Sequence, residues 1–135
     1  MGRLVLHWLL QPQFLPRYVA HNCARRTPLE METPWFADAA CDFLDRRMGR
    51  SLRVFEYGSG GSTLFCARRA QSVYSVEDNP AWFNRVSREV ILRKLTNVTL
   101  RFCPFDFRNP QGFAKSDYLR AMPDDAFDVI IVDGS

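Results

Sequence analysis

The residues best placed to do chemistry lie in "VFEYGSGGSTL", Val54 to Leu64. Gly58, Gly60 and Gly61 put three glycines into four positions, with Glu56 just ahead and Thr63 just behind. Glycine raises the entropic cost of ordering a chain, so a crowd of them marks a sharp turn or a close approach to the backbone. Amides that open a following helix face outward and favour an electron-rich group. Further acids punctuate the rest of the chain. Glu77 comes 21 residues after Glu56, Asp106 sits in "CPFDF", and Asp133 ends "FDVIIVD".

These residues need elements to hold them. "TPWFADAACDFLDRRMG" has helical spacing: Thr33 suits the cap, Pro34 the first turn and Gly49 the end. Trp35, Phe36, Ala39, Ala40, Phe43, Leu44 and Met48 make one apolar face, with Trp35 expected as a core anchor. "LRVFEY" (52–57) reads as a strand, followed by the glycine loop and a helix over 63–70. "SVYSVE" (72–77) is a second strand. Asn79 and Pro80 then cap a helix running to about Leu95, and "NVTLRFC" is a third strand. A short helix is expected over 116–122. "FDVIIVD" (127–133), the most apolar strand, is expected to be central and buried on both faces. Strands alternating with helices predict an α/β fold with a parallel sheet, a Rossmann-like three-layer sandwich. Such sheets bind ligands beyond the carboxyl ends of their strands, where the glycine loop lies.

Three designs use a glycine loop in that place. A phosphate-cradling loop needs Lys and then Ser or Thr after the last glycine, and Gly61 is followed by Ser62, Thr63 and Leu64. A dinucleotide loop wants GxGxxG, and Thr63 takes the third position, which is glycine for close helix–strand packing. The third design holds S-adenosylmethionine, which has no phosphates but carries a cationic amino group, a sulfonium and a ribose. Glu56 ahead of the glycines suits that cargo better than a pyrophosphate. Glu77 suits a ribose in either of the last two designs.

On these motifs the chain resembles the class I S-adenosylmethionine-dependent methyltransferases over roughly residues 33–135. "VFEYGSGGSTLFCARR" is similar to their first motif, "VYSVEDNPAWF" to the second-strand motif and "FDVIIVDGS" to the fourth-strand motif. "TPWFADAACDFLD" and "FEYGSGGSTL" resemble a bacterial subgroup of uncharacterised or small-molecule methyltransferases. The resemblance implies that Glu56 orients the donor's amino group and that Gly58, Ser59, Gly60 and Gly61 form the loop against the donor. It also implies that Glu77 binds the ribose hydroxyls, that Asp106 contacts the adenine amino group and that Asp133 faces the methyl group as the catalytic candidate. Each acid also has an ordinary alternative: Glu56 as a helix-capping group, Glu77 as half of an ion pair, Asp106 and Asp133 as turn or cap residues.

Composition narrows the remaining classes. In 135 residues, 47% are hydrophobic, as in a globular core, and the net charge of +3 includes no long basic run, which argues against nucleic-acid binding. Cys23, Cys41, Cys66 and Cys103 are widely spaced with no CxxC pair, so reduced buried thiols in a cytoplasmic protein are expected rather than a metal site. "RLVLHWLL" is too short to span a bilayer and lacks a clear cleavage site, so an amphipathic or core-packed segment is expected there, within an irregular or helical extension over 1–32. The family's sheet has seven strands and the chain reaches four, so a donor-binding portion whose acceptor site is incomplete is expected. The partner is then a small-molecule acceptor, with no nucleic acid or membrane. The rival readings are a non-catalytic binding or scaffold domain and an NAD-dependent oxidoreductase.

Overall fold

The computed structural model describes residues 26–133, together with 15, 16 and 19. The segment "RLVLHWLL" and Cys23 lie outside the described residues. The elements are α1 (Pro28–Met31), α2 (Asp38–Arg47), β1 (Arg53–Tyr57), α3 (Gly61–Ala67), β2 (Ser72–Glu77), α4 (Pro80–Leu92), β3 (Val98–Phe102) and β4 (Val129–Val132). The strands form one sheet in the order β3-β2-β1-β4, and every pairing is parallel. This is the Rossmann-like α/β architecture that the strand–helix alternation predicts. The chain leaves β1 to one side through β2 and β3, then returns to pair β4 on the other side of β1. The carboxyl end of β1 is therefore the point where strand order reverses.

Side-chain alternation divides the core between the two sheet faces. Val54 and its β2 partner Val73 pack with Phe65, Cys66 and Ala67 of α3 and with Ile131 of β4. Phe55, Val76, Cys103, Tyr118 and Ala121 fill the opposite face, which the 104–127 segment covers. Leu64 of α3, Val86 of α4 and Leu29 of α1 join in a third cluster beside the first. Cys41, Cys66 and Cys103 are buried. Among the described residues no helix is long and apolar enough to cross a membrane.

Three sequence expectations are corrected. The first helix does not begin at Thr33. Thr27 caps the one-turn α1, and Glu30 completes a capping box with it. Glu32 closes that turn at φ 51°, and α2 starts only at Asp38. Thr33 has Phe36 three residues on, so it has no carboxylate with which to form the reciprocal pair. Trp35 consequently falls in the connection and is 77% exposed rather than a core anchor. The helix expected over 116–122 is two 3-10 turns, Phe113–Lys115 and Leu119–Ala121, on a stretch punctuated by Pro110, Gly112 (φ 84°) and Pro123. Finally, β4 is not central among the described strands. It pairs only with β1, and Ile130 and Val132 are 55% and 74% exposed, while Ile131 points into the core.

Candidate functional site

β1 delivers Glu56 and the glycine loop to the switch point. Gly58 takes φ 85°, the left-handed turn that a Cβ disfavours. Gly61 is required for a different reason: a Cβ there would lie 2.1 Å from the Thr33 carbonyl oxygen and 2.5 Å from that of Pro28. The 28–33 segment therefore rests directly on the loop. Glu32 anchors the same segment, accepting from Arg68 Nε (3.0 Å) and Arg93 Nε (2.7 Å). The Arg68 guanidinium chiefly holds the Glu32 carboxyl below its usual range.

The amides of the loop turn inward. Gly58 N–H donates to the Val76 carbonyl (2.8 Å), Ser59 N–H to Glu77 Oε2 (2.8 Å) and Gly60 N–H to Thr63 Oγ1 (2.8 Å). Three successive donors that a phosphate loop would offer to its ligand are thus used within the protein. Glu77 organises the rim. Its Oε2 also accepts from Ser59 Oγ (2.8 Å), and Oε1 accepts from Asn79 N–H (2.9 Å). Asn79 in turn caps α4, its side chain accepting from Trp82 N–H (3.0 Å). Trp82 Nε1–H reaches back to the Ser59 carbonyl (2.5 Å), so Ser59 is held through its amide, hydroxyl and carbonyl together.

A cavity of about 760 Å³ opens over this loop. It is lined by Gly58, Ser59, Gly60 and Gly61, by Glu77, Asp78 and Asn79, by Asp133, by Trp82 and Arg85 of α4, and by Arg26, Thr27, Pro28 and Trp35. Asp133 is fixed at the end of β4 by its N–H, which donates to the Tyr57 carbonyl (2.8 Å). Burial raises the carboxyl of Asp133, and burial followed by the charge of Glu77 raises that of Asp78. The Arg85 guanidinium sits 5.2 Å from the centroid of the Trp82 ring.

The sequence-predicted residues divide into three groups. Gly58, Ser59, Gly60, Gly61, Glu77 and Asp133 surround this one cavity. Asp106 instead lines an adjoining cavity of about 830 Å³ that shares Asp78 and Asn79 with the first. Its Oδ1 accepts from Arg108 N–H (3.1 Å) and Nε (3.0 Å), and Arg108 holds its carboxyl below the usual range. Glu56 lines neither cavity. It is fully buried beneath the loop, where Thr63 Oγ1 donates to its Oε2 (2.5 Å). Burial pushes its carboxyl up to about 7, against the opposing pull of the Ser62, Thr63 and Ser75 hydroxyls, with Asp133 adding to the rise.

Sequence reasoning missed Trp82, Arg85, Asp78 and Asn79 as cavity walls, and Trp35 and Arg26 at its mouth. The signal for Trp82 was present: it occupies the first turn of the helix that follows the second strand, and so lies at the carboxyl rim of the sheet. Among the described residues no group of three His, Cys, Asp or Glu side chains comes together as a metal would need.

No protein-family model matches the chain, and no curated protein matches it. Solved structures do. The precorrin-8w decarboxylase of Methanobacterium thermoautotrophicum is 24% identical over 74% of this chain and 50% of its own, at a TM-score of 0.49. A dimethyladenosine transferase from Plasmodium falciparum is 17% identical over 68% of this chain and 31% of its own (TM-score 0.44). A protein-L-isoaspartate O-methyltransferase is 21% identical over 70% and 28% respectively (TM-score 0.43). The chain spans half or less of the length of these proteins.

Proposed function

We propose that the chain is the donor-binding portion of an S-adenosylmethionine-dependent methyltransferase acting on a small-molecule acceptor. The observation that carries this reading is the inward turn of the Gly58, Ser59 and Gly60 amides beneath a cavity bordered by Glu77, Asp78 and Asp133. A pyrophosphate would find the Gly58, Ser59 and Gly60 amides already engaged and no lysine, with Arg26 and Arg85 the cations on the wall. A phosphate-free, cationic nucleoside meets three acidic side chains.

The donor set fits such a cargo. A carboxylate has about four lone-pair sites and three of them already accept, so Glu77 can take one ribose hydroxyl at Oε1 while keeping its bonds to Ser59 and Asn79, and a second only in place of the Ser59 hydroxyl. Asp106, with Asp78 and Asn79, would receive the adenine in the adjoining cavity, its own pairing with Arg108 yielding to the amino group. Glu56 would act on the donor's amino group from behind the loop, through the Gly58–Gly60 backbone rather than by touching it. The bound donor supplies a methyl group activated on sulfonium. Transfer is an in-line displacement helped chiefly by positioning. Asp133 would take the proton from an oxygen or nitrogen acceptor, and a carboxyl raised by burial is better matched to that task near neutrality.

Isothermal titration calorimetry with S-adenosylmethionine, S-adenosylhomocysteine and NAD tests the reading. Saturable heat with the first two, lost in Glu77→Ala, is expected. Heat with NAD alone would move the chain to the oxidoreductases, and no heat with any of the three refutes a donor site. Methyl transfer to any acceptor would exclude a purely scaffolding role.

A further inference from the structure

Thr63 stands where a dinucleotide loop carries its third glycine, and in this fold both hydrogen-bonding capacities of its hydroxyl are in use. Thr63 is fully buried; its Oγ1 accepts from Gly60 N–H at 2.8 Å and donates to Glu56 Oε2 at 2.5 Å. An amide can only donate, so Thr63 Oγ1 accepts from Gly60 N–H, and its own hydroxyl hydrogen points on to Glu56 Oε2. The far side of Glu56 is unfinished. Among the described residues its Oε1 has no hydrogen-bond partner, and neither has Ser75 Oγ, although Ser75 is its register partner on the same face of β2. Thr63 thus gives this buried carboxyl its one short hydrogen bond among the described residues, at Oε2, with the Ser62 and Ser75 hydroxyls close beside it.

We infer that Thr63 is a positioning residue, whose hydroxyl ties the buried Glu56 carboxyl to the Gly60 amide and so holds the shape in which the loop presents Gly58, Ser59 and Gly60 to the cavity. Without the hydroxyl, Gly60 N–H and Glu56 Oε2 both lose their partner in a place water does not reach, and the loop must turn to find others. The donor enters this inference only through the function proposed above; the tie itself is a property of the fold. The titratable groups around Glu56 are Asp133 beyond β4, Cys66 on α3 and Tyr118 from the opposite face of the sheet.

The test uses amide hydrogen exchange and a pH titration by NMR on the full chain, with calorimetry alongside. In Thr63→Val the Gly60 amide should exchange roughly tenfold faster and the affinity for S-adenosylmethionine should fall by a similar factor, while Thr63→Ser restores both. Wild-type Gly60 and Thr63 resonances should follow one titration that Glu56→Gln abolishes. Unchanged Gly60 protection in Thr63→Val, or the same titration surviving in Glu56→Gln, overturns the inference. If Thr63→Val does not fold, the Thr63→Ser and Glu56→Gln measurements decide it alone. Wild-type protein that passes the exchange and titration tests but binds no S-adenosylmethionine would sink the donor reading and leave the role of Thr63 standing.

Discussion

Replacing Glu77 with Gln keeps its shape and removes one acceptor, which makes Glu77→Gln a sharp test of what holds the rim together. Glu77 accepts three hydrogen bonds, two from Ser59 at Oε2 and one from Asn79 N–H at Oε1, and it is 4% exposed. A glutamine offers one oxygen and one NH₂. With its oxygen toward Ser59, its NH₂ opposes the Asn79 N–H; with the amide flipped, it opposes Ser59. Either way one buried donor loses its acceptor, and the surviving bonds lose their charge. A hydrogen bond to a charged group contributes about 1.5–3 kcal/mol, so a loss of ~2 kcal/mol is expected. For a domain of this size that is a fall of roughly 8 °C in Tm, read by circular dichroism. Ser59→Ala, which removes only the hydroxyl, should cost about 1 kcal/mol. The donor should feel the change more than the fold, because a glutamine oxygen bonded twice to Ser59 leaves no lone pair for a ribose hydroxyl. A Glu77→Gln variant melting within roughly 2 °C of wild type would refute the claim that this carboxylate organises the loop.

Three further outcomes follow from the same geometry. Gly61→Ala drives a methyl into the Pro28 and Thr33 carbonyl oxygens and should destabilise by about 1–3 kcal/mol in urea, with an unchanged m-value. Glu56 has its folded-state carboxyl raised from 4.5 to about 7, so between those values the folded state binds more protons than the unfolded one. Stability should therefore fall as pH rises through that window, by about 3 kcal/mol in all, then level off, and Glu56→Gln should flatten the slope. Trp35, 77% exposed at the mouth of the cavity, should tolerate Ala within about 0.5 kcal/mol, yet its removal should diminish the fluorescence change on donor binding.

The strand–helix alternation carried most of this fold in the sequence. The strands are short and largely apolar, and the helix after β2 announces itself with the cap at Asn79-Pro80. The glycine loop and the acids around it were legible for the same reason, because strand ends fix where a residue must project. The first helix misled because the chain holds two Thr-Pro pairs, Thr27-Pro28 and Thr33-Pro34. Only the former has the glutamate three residues on that completes a capping box. The apolar spacing after Thr33 then drew Trp35 into a helix face it does not occupy. The apolarity of β4 speaks of burial, but which strand flanks it is a long-range fact that no local pattern records. Glu56 reads as a ligand-facing acid because charged residues are seldom fully buried. Its concealment depends on α3 folding back over the end of β1, which brings Thr63 onto it.

The contact at Gly61 also bears on how the cavity could open. With the Pro28 and Thr33 carbonyls seated where a Cβ would stand, and Glu32 tied to both Arg68 and Arg93, the strap carrying Arg26 and Trp35 is keyed to the same backbone that shapes the floor. Lifting the strap strips Leu29 from Leu64 and Val86 in the same movement. Roof and floor of the site thus rest on the same contacts, so a substitution that disturbs one disturbs the other.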